Sequence, residues 1–309
     1  DGIRDKLVTG VQTCALPISP SKVFLPQGGH SYVTVLDFLV DKFPAIQRDE
    51  WVSRFNDGLI FDVDGQPLTV TSQYLAGTFV YYFRRVESEE PIPFTETVIY
   101  QDDYLLIADK PHFLPVTPGG HYLQETLLVR LKKSTGIETL SPIHRIDRET
   151  AGLVAFSKRS QDRNAYQALF RDRAVEKIYQ AIAPFREDLQ KRFPIHYQSR
   201  IEESSVFIQM HEVAGAPNSD TWIDIVEVKD AWARYCLRLG TGKKHQLRVH
   251  MSSLGIPIKN DQIYPVLQPH VITNKDFSEP LQLLAKELSF VDPISGLKHH
   301  FFSSQALHL

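Results

Sequence analysis

Residues 144–152, HRIDRETAG, set one acid, Asp147, between Arg145 and Arg148 and close the run with Thr150 and Gly152. Guanidinium groups favour the ionised form of a neighbouring carboxylate, so Asp147 is suited to act as a nucleophile or a base. A run of mixed charges is equally what a solvated surface turn looks like, and the remaining residues must decide between the two. Glu149 would share Asp147's side of an extended segment, which opens a two-carboxylate glycosidase reading. Two like charges so close together and flanked by arginines fit that pair poorly.

A second candidate lies in TGKKHQLRVHMSSLGIPIKNDQIY, residues 241–264. From Ala231 to Asn260 the chain carries Arg234, Arg238, Lys243, Lys244, Arg248 and Lys259 and no acid. Such a stretch attracts backbone phosphates, and a helix starting near Lys244 or His245 would add its dipole; a surface helix with acids elsewhere in space is the competing reading. His245 and His250 are five apart with no HExxH or CxxC motif, which points to packed or hydrogen-bonding histidines and to no metal. In VEKIYQAIA, an extended segment would turn Lys177 and Tyr179 to one side and Ile178 and Gln180 to the other. Tyr179 reads as a core residue on its own and as a base-stacking platform beside a basic groove.

The composition limits the class. The 309 residues are 42% hydrophobic and 23% charged with a formal charge of -3, so any nucleic-acid site must be local. No apolar run approaches the roughly 20 residues that span a bilayer. Two cysteines, Cys14 and Cys236, make neither a disulfide framework nor a zinc site and suit a reducing cytoplasm. No GxGxxG or GxxxxGK[ST] occurs, so no nucleotide cofactor is expected. Residues 1–19 lack an initiator Met and a signal-peptide pattern, and VTGVQTCALPI resembles a translated sequencing adapter. They are expected to be a foreign, disordered leader.

These residues need elements to position them. Residues 20–86 read as a helix pair, VLDFLVDKF and DEWVSRF, followed by strands LIFDVDG and TFVYYFRR. That order resembles a small RNA-binding module of the S-four type, although residues 20–95 hold six Lys/Arg against ten Asp/Glu. ESEEPIP marks a linker, placed at 87–96. Residues 97–309 then offer strands in TVIYQDDYLLIADKP, LVAFSK, KIYQAIA, TWIDIVEV and ARYCLRLG. Helices are expected in HYLQETLLVRLKKSTG, in SQDRNAYQALFRD capped by Ser160, and in HQLRVHMSSLG closed by Gly255. The expected fold class is α+β, a mixed, largely antiparallel sheet with dispersed helices, preceded by a small α/β-type module.

Taken together, these three stretches and a fourth, DKPHFLPVTPGG, resemble the RluA-type family of pseudouridine synthases over roughly residues 97–309. HRIDRETAGLVAFSK is similar to HRLDxxTSGLLLxAK, DKPHFLPVTPGG to KPxGxxVxP, VEKIYQAIAP to KxYxAxVxG, and TGKKHQLRVHMSSLGIPIKNDQIY to TGRTHQIRVHxxxxGxPIxGDxxYG. Ala151, Lys243-Lys244, Asn260 and Pro265 depart from the usual residues. The resemblance implies an isomerase that breaks the bond from uracil nitrogen to ribose, rotates the base and rejoins it through carbon 5. It places Asp147 as the catalytic carboxylate, Arg248 as its bidentate arginine partner, and Tyr179 under the base.

Arg145, Arg148, Lys243, Lys244, His245 and Lys110 are the residues expected to meet RNA. The implied partner is structured ribosomal or transfer RNA with the target base out of its stack, and the implied cofactor is none. A cytoplasmic monomer is expected. A noncatalytic RNA-binding assembly factor on the same fold is the alternative, and an intact Asp147, Tyr179 and Arg248 weighs against it.

Overall fold

The structure is a computed structural model that describes residues 20–28, 32–83, 89–120, 122–206, 208–269 and 276–309. The leader expected at 1–19 lies outside the described residues. Two compact units partition the chain: one runs to Glu90 and takes in Pro118–Gln124, and the other comprises Pro91–Thr117 and Glu125–Leu309.

In the first unit, strands β1 (Ser21–Phe24), β2 (Ile60–Phe61) and β3 (Phe79–Tyr82) form an antiparallel sheet in the order β1-β3-β2. Helices α1 (Val35–Lys42) and α2 (Arg48–Asn56) enclose a core that includes Phe38, Leu39, Trp51 and Val80. Thr34 and Asp37 close a reciprocal cap at the start of α1, each side chain accepting from the other's backbone N–H. The strand expected over LIFDVDG is short, because Asp62 Oδ1 accepts from the N–H of Asp64 and Gln66 and turns the chain. Arg84 and Arg85 lie outside the described residues.

The second unit is built on one sheet of eleven strands among the described residues. Its strands are β4 (Thr97–Gln101), β5 (Leu105–Lys110), β6 (Ser141–Pro142), β7 (Ala151–Ser157), β8 (Glu176–Pro184), β9 (Ile195–Glu203), β10 (Met210–Val213), β11 (Ser219–Lys229), β12 (Trp232–Leu239), β13 (Leu283–Val291) and β14 (Lys298–Phe302). Their order is β10-β9-β11-β12-β8-β13-β7-β5-β4, with β14 on β13 and β6 on β7. All pairs are antiparallel except β13 with β7. The fold is thus α+β with a mixed, mostly antiparallel sheet. Strands β5 and β7, each paired on both sides, are buried along their whole length, which is why LLIADK and AGLVAFS read as near-continuous apolar runs.

The helices of this unit differ in detail from the sequence expectation. Helix α3 (Leu127–Thr135) starts later than HYLQE suggests, since Thr126 Oγ1 accepts from Val129 N–H and fixes the start there. It ends as expected at Gly136, whose φ of 72° closes the helix. Ser160 does not cap α4 (Arg163–Arg171); it opens a single 3-10 turn, and Asp162 at the junction is taken up by Arg159. A short α5 (Glu187–Gln190) follows β8. Helix α6 (Gln246–Ser253) packs on β9, β10 and β11, with Leu247 and Met251 in a core shared with Tyr179, Tyr235 and Leu237.

Candidate active site

Asp147 sits on the loop from β6 to β7, and buried contacts set the course of that loop. Thr150 N–H closes a turn on the Asp147 carbonyl at 3.2 Å. Gly152, the second residue of β7, adopts φ 111°, and a Cβ there would lie 2.3 Å from the Ala285 carbonyl oxygen of β13. Only glycine lets the two backbones approach this closely. Lys110 at the end of β5 is wholly buried and donates from Nζ to the carbonyls of Pro111 (3.1 Å), Leu114 (2.7 Å) and Arg148 (3.0 Å). Its expected role as an RNA contact is therefore corrected: its three donors hold the loops together. Burial pushes its pKa down to about 7, against the charges of Glu149 and Asp147.

Arg248 reaches the same point from α6 with its side chain 1% exposed. Its bidentate partner is Asp261, which receives Nε at 2.8 Å and Nη2 at 2.6 Å. The expectation of a bidentate pair with Asp147 is corrected accordingly. The remaining nitrogen, Nη1, makes no hydrogen bond among the described residues and faces Asp147 Oδ2 at 3.7 Å and Glu149 Oε2 at 3.8 Å. Burial alone would lower the pKa of Arg248, but the hydrogen bonds and charge of Asp261, with Asp147 and Glu149 behind it, raise it. A permanently charged donor thus faces the carboxylate. Burial works against the Glu149 carboxylate as well, yet the charges of Arg148 and Arg248 hold its pKa below the ordinary value.

Gln246 fixes the turn that delivers Arg248. Its Oε1 accepts from Thr241 Oγ1 and Lys243 N–H, while its Nε2 donates to the Asp220 carbonyl and Thr221 Oγ1. His245, in the left-handed region at φ 55°, ends this turn; its Nδ1 is 2.9 Å from Tyr264 Oη and its Nε2 is 4.0 Å from Asp147 Oδ2. Burial lowers its pKa, opposed by Asp147.

Asp147, His245, Gln246 and Arg248 line a cleft of about 730 Å³ whose walls also carry Tyr179, Lys177, Phe170 and Arg145. Tyr179 is buried, and burial together with the Asp147 charge raises its pKa, so the phenol stays neutral. Its ring belongs to the core and also lines the cleft. Lys243, Lys244 and Arg145 are exposed at the cleft. Arg148 pairs with Glu149 at 2.9 Å, and His245 lies beside the carboxylate. Among the described residues, no three His, Cys, Asp or Glu side chains converge as a metal site requires.

Asp261, Glu149 as a neighbour of Arg248, and Gln246 were not singled out by sequence reasoning. A signal for the first existed: Asp261 is the first acid after the acid-free stretch that ends at Asn260.

The fold thus carries an arginine-flanked carboxylate in the wall of a cleft edged with cations. The RNA pseudouridylate synthase family profile matches residues 104–253. An uncharacterised RNA pseudouridine synthase of Synechocystis sp. is 32% identical over 234 residues, covering 74% of this chain and 79% of the relative. The ribosomal large subunit pseudouridine synthase D of Zymomonas mobilis is 28% identical over 231 residues, 70% of this chain and 71% of its own. The tRNA pseudouridine synthase C of Vibrio cholerae is 30% identical over 214 residues, 63% and 85%. The solved structure of human RNA pseudouridylate synthase domain containing 1 shares the fold, with a TM-score of 0.56 at 19% identity over 71% of this chain and 86% of its own. The chain belongs to the RluA-type family of RNA pseudouridine synthases and is an isomerase.

Among the described residues, no helix is long and apolar enough to cross a membrane.

Proposed function

We propose that this enzyme converts a specific uridine of structured ribosomal or transfer RNA to pseudouridine with Asp147 as the catalytic carboxylate. The observation that carries this reading is Nη1 of Arg248, held toward Asp147 Oδ2 at 3.7 Å while Asp261 fixes the rest of the guanidinium. The bond from ribose C1′ to N1 breaks, and a bond from C1′ to C5 forms. The proton leaves C5 and N1 gains one, so the overall change is an isomerisation. Asp147 either attacks the ribose or removes a sugar proton. Tyr179 packs against the base, and its neutral hydroxyl assists removal of the C5 proton.

The exposed cations Arg145, Lys243 and Lys244 meet backbone phosphates at the cleft mouth. The uridine must leave its stack to reach the carboxylate, so a loop or a flipped nucleotide is the substrate. The relatives include one named for the large ribosomal subunit and one named for transfer RNA, which supports these two RNA classes. In this reading the catalytic unit is residues 97–309, and residues 20–86 serve as an S-four-like accessory module.

The test is tritium release from RNA labelled at uracil C5, with ribosomal and transfer RNA supplied separately to wild type and Asp147→Asn. Release by wild type alone is expected. Release by well-folded Asp147→Asn at the wild-type rate would remove Asp147 from this role.

A further inference from the structure

Lys177 is a half-buried ammonium in the cleft wall, and among the described residues it has no hydrogen bond or ion pair. Removing an ammonium from water is costly unless an anion compensates it. The charges acting around it are of its own sign. Burial lowers its pKa first and the Arg173 charge lowers it further, while Lys177 in turn depresses His144. The ammonium stands beside Gly242, where an added Cβ would lie 3.7 Å from its Nζ. Lys177 lies two strand residues from Tyr179 on the same side of β8, about 6.6 Å along the chain. It is therefore one pleat away from the ring assigned to the target base.

Beside it, Phe170 also faces the cleft and is stacked on His144, with ring centroids 4.5 Å apart and planes at 17°. His144 is locked in place because its Nε2 accepts the Ala155 N–H at 3.1 Å. Burial, with the Lys177 charge, pushes its pKa down to about 3, so the ring backing Phe170 is neutral. A fixed aromatic pair next to an unpaired cation has the make-up of a nucleotide subsite: a flat surface for a base and a charge for a phosphate.

We propose that Lys177 and the Phe170–His144 stack form a second subsite in the cleft, which takes the nucleotide adjacent to the target uridine: Lys177 holds its phosphate and Phe170 stacks its base. The inference rests on RNA as the occupant of the cleft. It assigns a specificity function to residues outside the Asp147–Arg248 pair.

The full chain is titrated with a 20-nucleotide oligouridylate across a series of salt concentrations, and with uridine monophosphate as the short probe. Lys177→Gln is expected to make the log–log salt dependence of oligouridylate binding shallower by about 0.7, the value of one single-strand phosphate, and Lys177→Arg to restore it. Phe170→Leu is expected to weaken oligouridylate at least about 5-fold with a wild-type salt slope. Binding of uridine monophosphate should not change with Phe170→Leu. Should that variant unfold, Phe170→Met replaces it.

A wild-type slope in folded Lys177→Gln, or wild-type affinity in the folded Phe170 variant, overturns the subsite. Equal weakening of both probes by the Phe170 variant also overturns it, because that places Phe170 at the target base. Binding needs no turnover, so tritium release by wild type and Asp147→Asn judges the Asp147 reading separately.

Discussion

Arg248 and Asp261 are joined by two parallel hydrogen bonds, Nε to Oδ2 at 2.8 Å and Nη2 to Oδ1 at 2.6 Å, and both side chains are 1% exposed. Asp261 Oδ1 also accepts the N–H groups of Ile263 and Tyr264, so the carboxylate cannot swing away. Two of the three guanidinium nitrogens are thereby fixed. The third is left to Asp147 and Glu149, and the direction of that donor is set by a different acid, Asp261.

Asp261→Ala leaves a buried guanidinium without its main counter-charge. Breaking a buried pair in this way costs about 3–5 kcal/mol, to be read from urea unfolding. Tritium release should fall by at least about 100-fold, since a small displacement of a positioning group costs that much. Activity within about threefold of wild type in a folded variant would show that Asp261 does not aim Arg248.

Lys110→Met keeps most of the side-chain length and leaves the carbonyls of Pro111, Leu114 and Arg148 without their shared donor. The expected loss is about 2–4 kcal/mol of unfolding free energy, with reduced turnover because the Arg148 carbonyl adjoins Asp147. The salt slope of RNA binding should not change. A slope shallower by about 0.7 would return Lys110 to the phosphate-binding role that its charge suggests in the sequence.

This contrast marks what was legible in the sequence. Alternation and turn residues gave the sheet and most strands, since an inward–outward pattern writes itself into residue type. The spacing of HRIDRE and KKHQLR announced a charged site, and the structure brings Asp147 and Arg248 together from distant segments. Side-chain destination was not legible. A lysine at a strand end looks the same whether its ammonium meets solvent or three carbonyls, and an arginine near two acids does not say which it holds with both arms. Thr126 outcompeted the helical pattern of HYLQE for a similar reason, because one local cap outweighs the weak propensities upstream.

Gly152→Ala tests the close approach that shapes the loop carrying Asp147. The added carbon would meet the Ala285 carbonyl oxygen at 2.3 Å and its nitrogen at 2.7 Å, both backbone atoms of a central strand, at φ 111°. Neither neighbour has a flexible end that can yield, so a loss of at least about 3 kcal/mol is expected. Thermal scanning should place the midpoint lower by more than about 5 °C. A midpoint within about 1 °C of wild type would mean that β7 and β13 are not packed this closely.

His250 gives the fold an acid sensitivity with a defined window. Its ring is fully buried on α6, with Nδ1 2.9 Å from Thr221 Oγ1 and Nε2 2.9 Å from Ser219 Oγ. Burial pushes its pKa down to about 4, against the opposing charge of Asp220, from an ordinary value of 6.5. Between these two values the unfolded chain takes up a proton that the folded ring refuses, so unfolding free energy falls as pH falls from about 6.5 to about 4. The full loss from this group is on the order of 3 kcal/mol. His144, depressed to about 3, acts in the same direction and leaves part of the slope in place when His250 is removed. Urea unfolding at a series of pH values should therefore give a flatter profile for His250→Gln than for wild type over this window. An identical slope in the two proteins would mean that His250 titrates alike in the folded and unfolded chain, and that acid loosens α6 and its Arg248 through other groups.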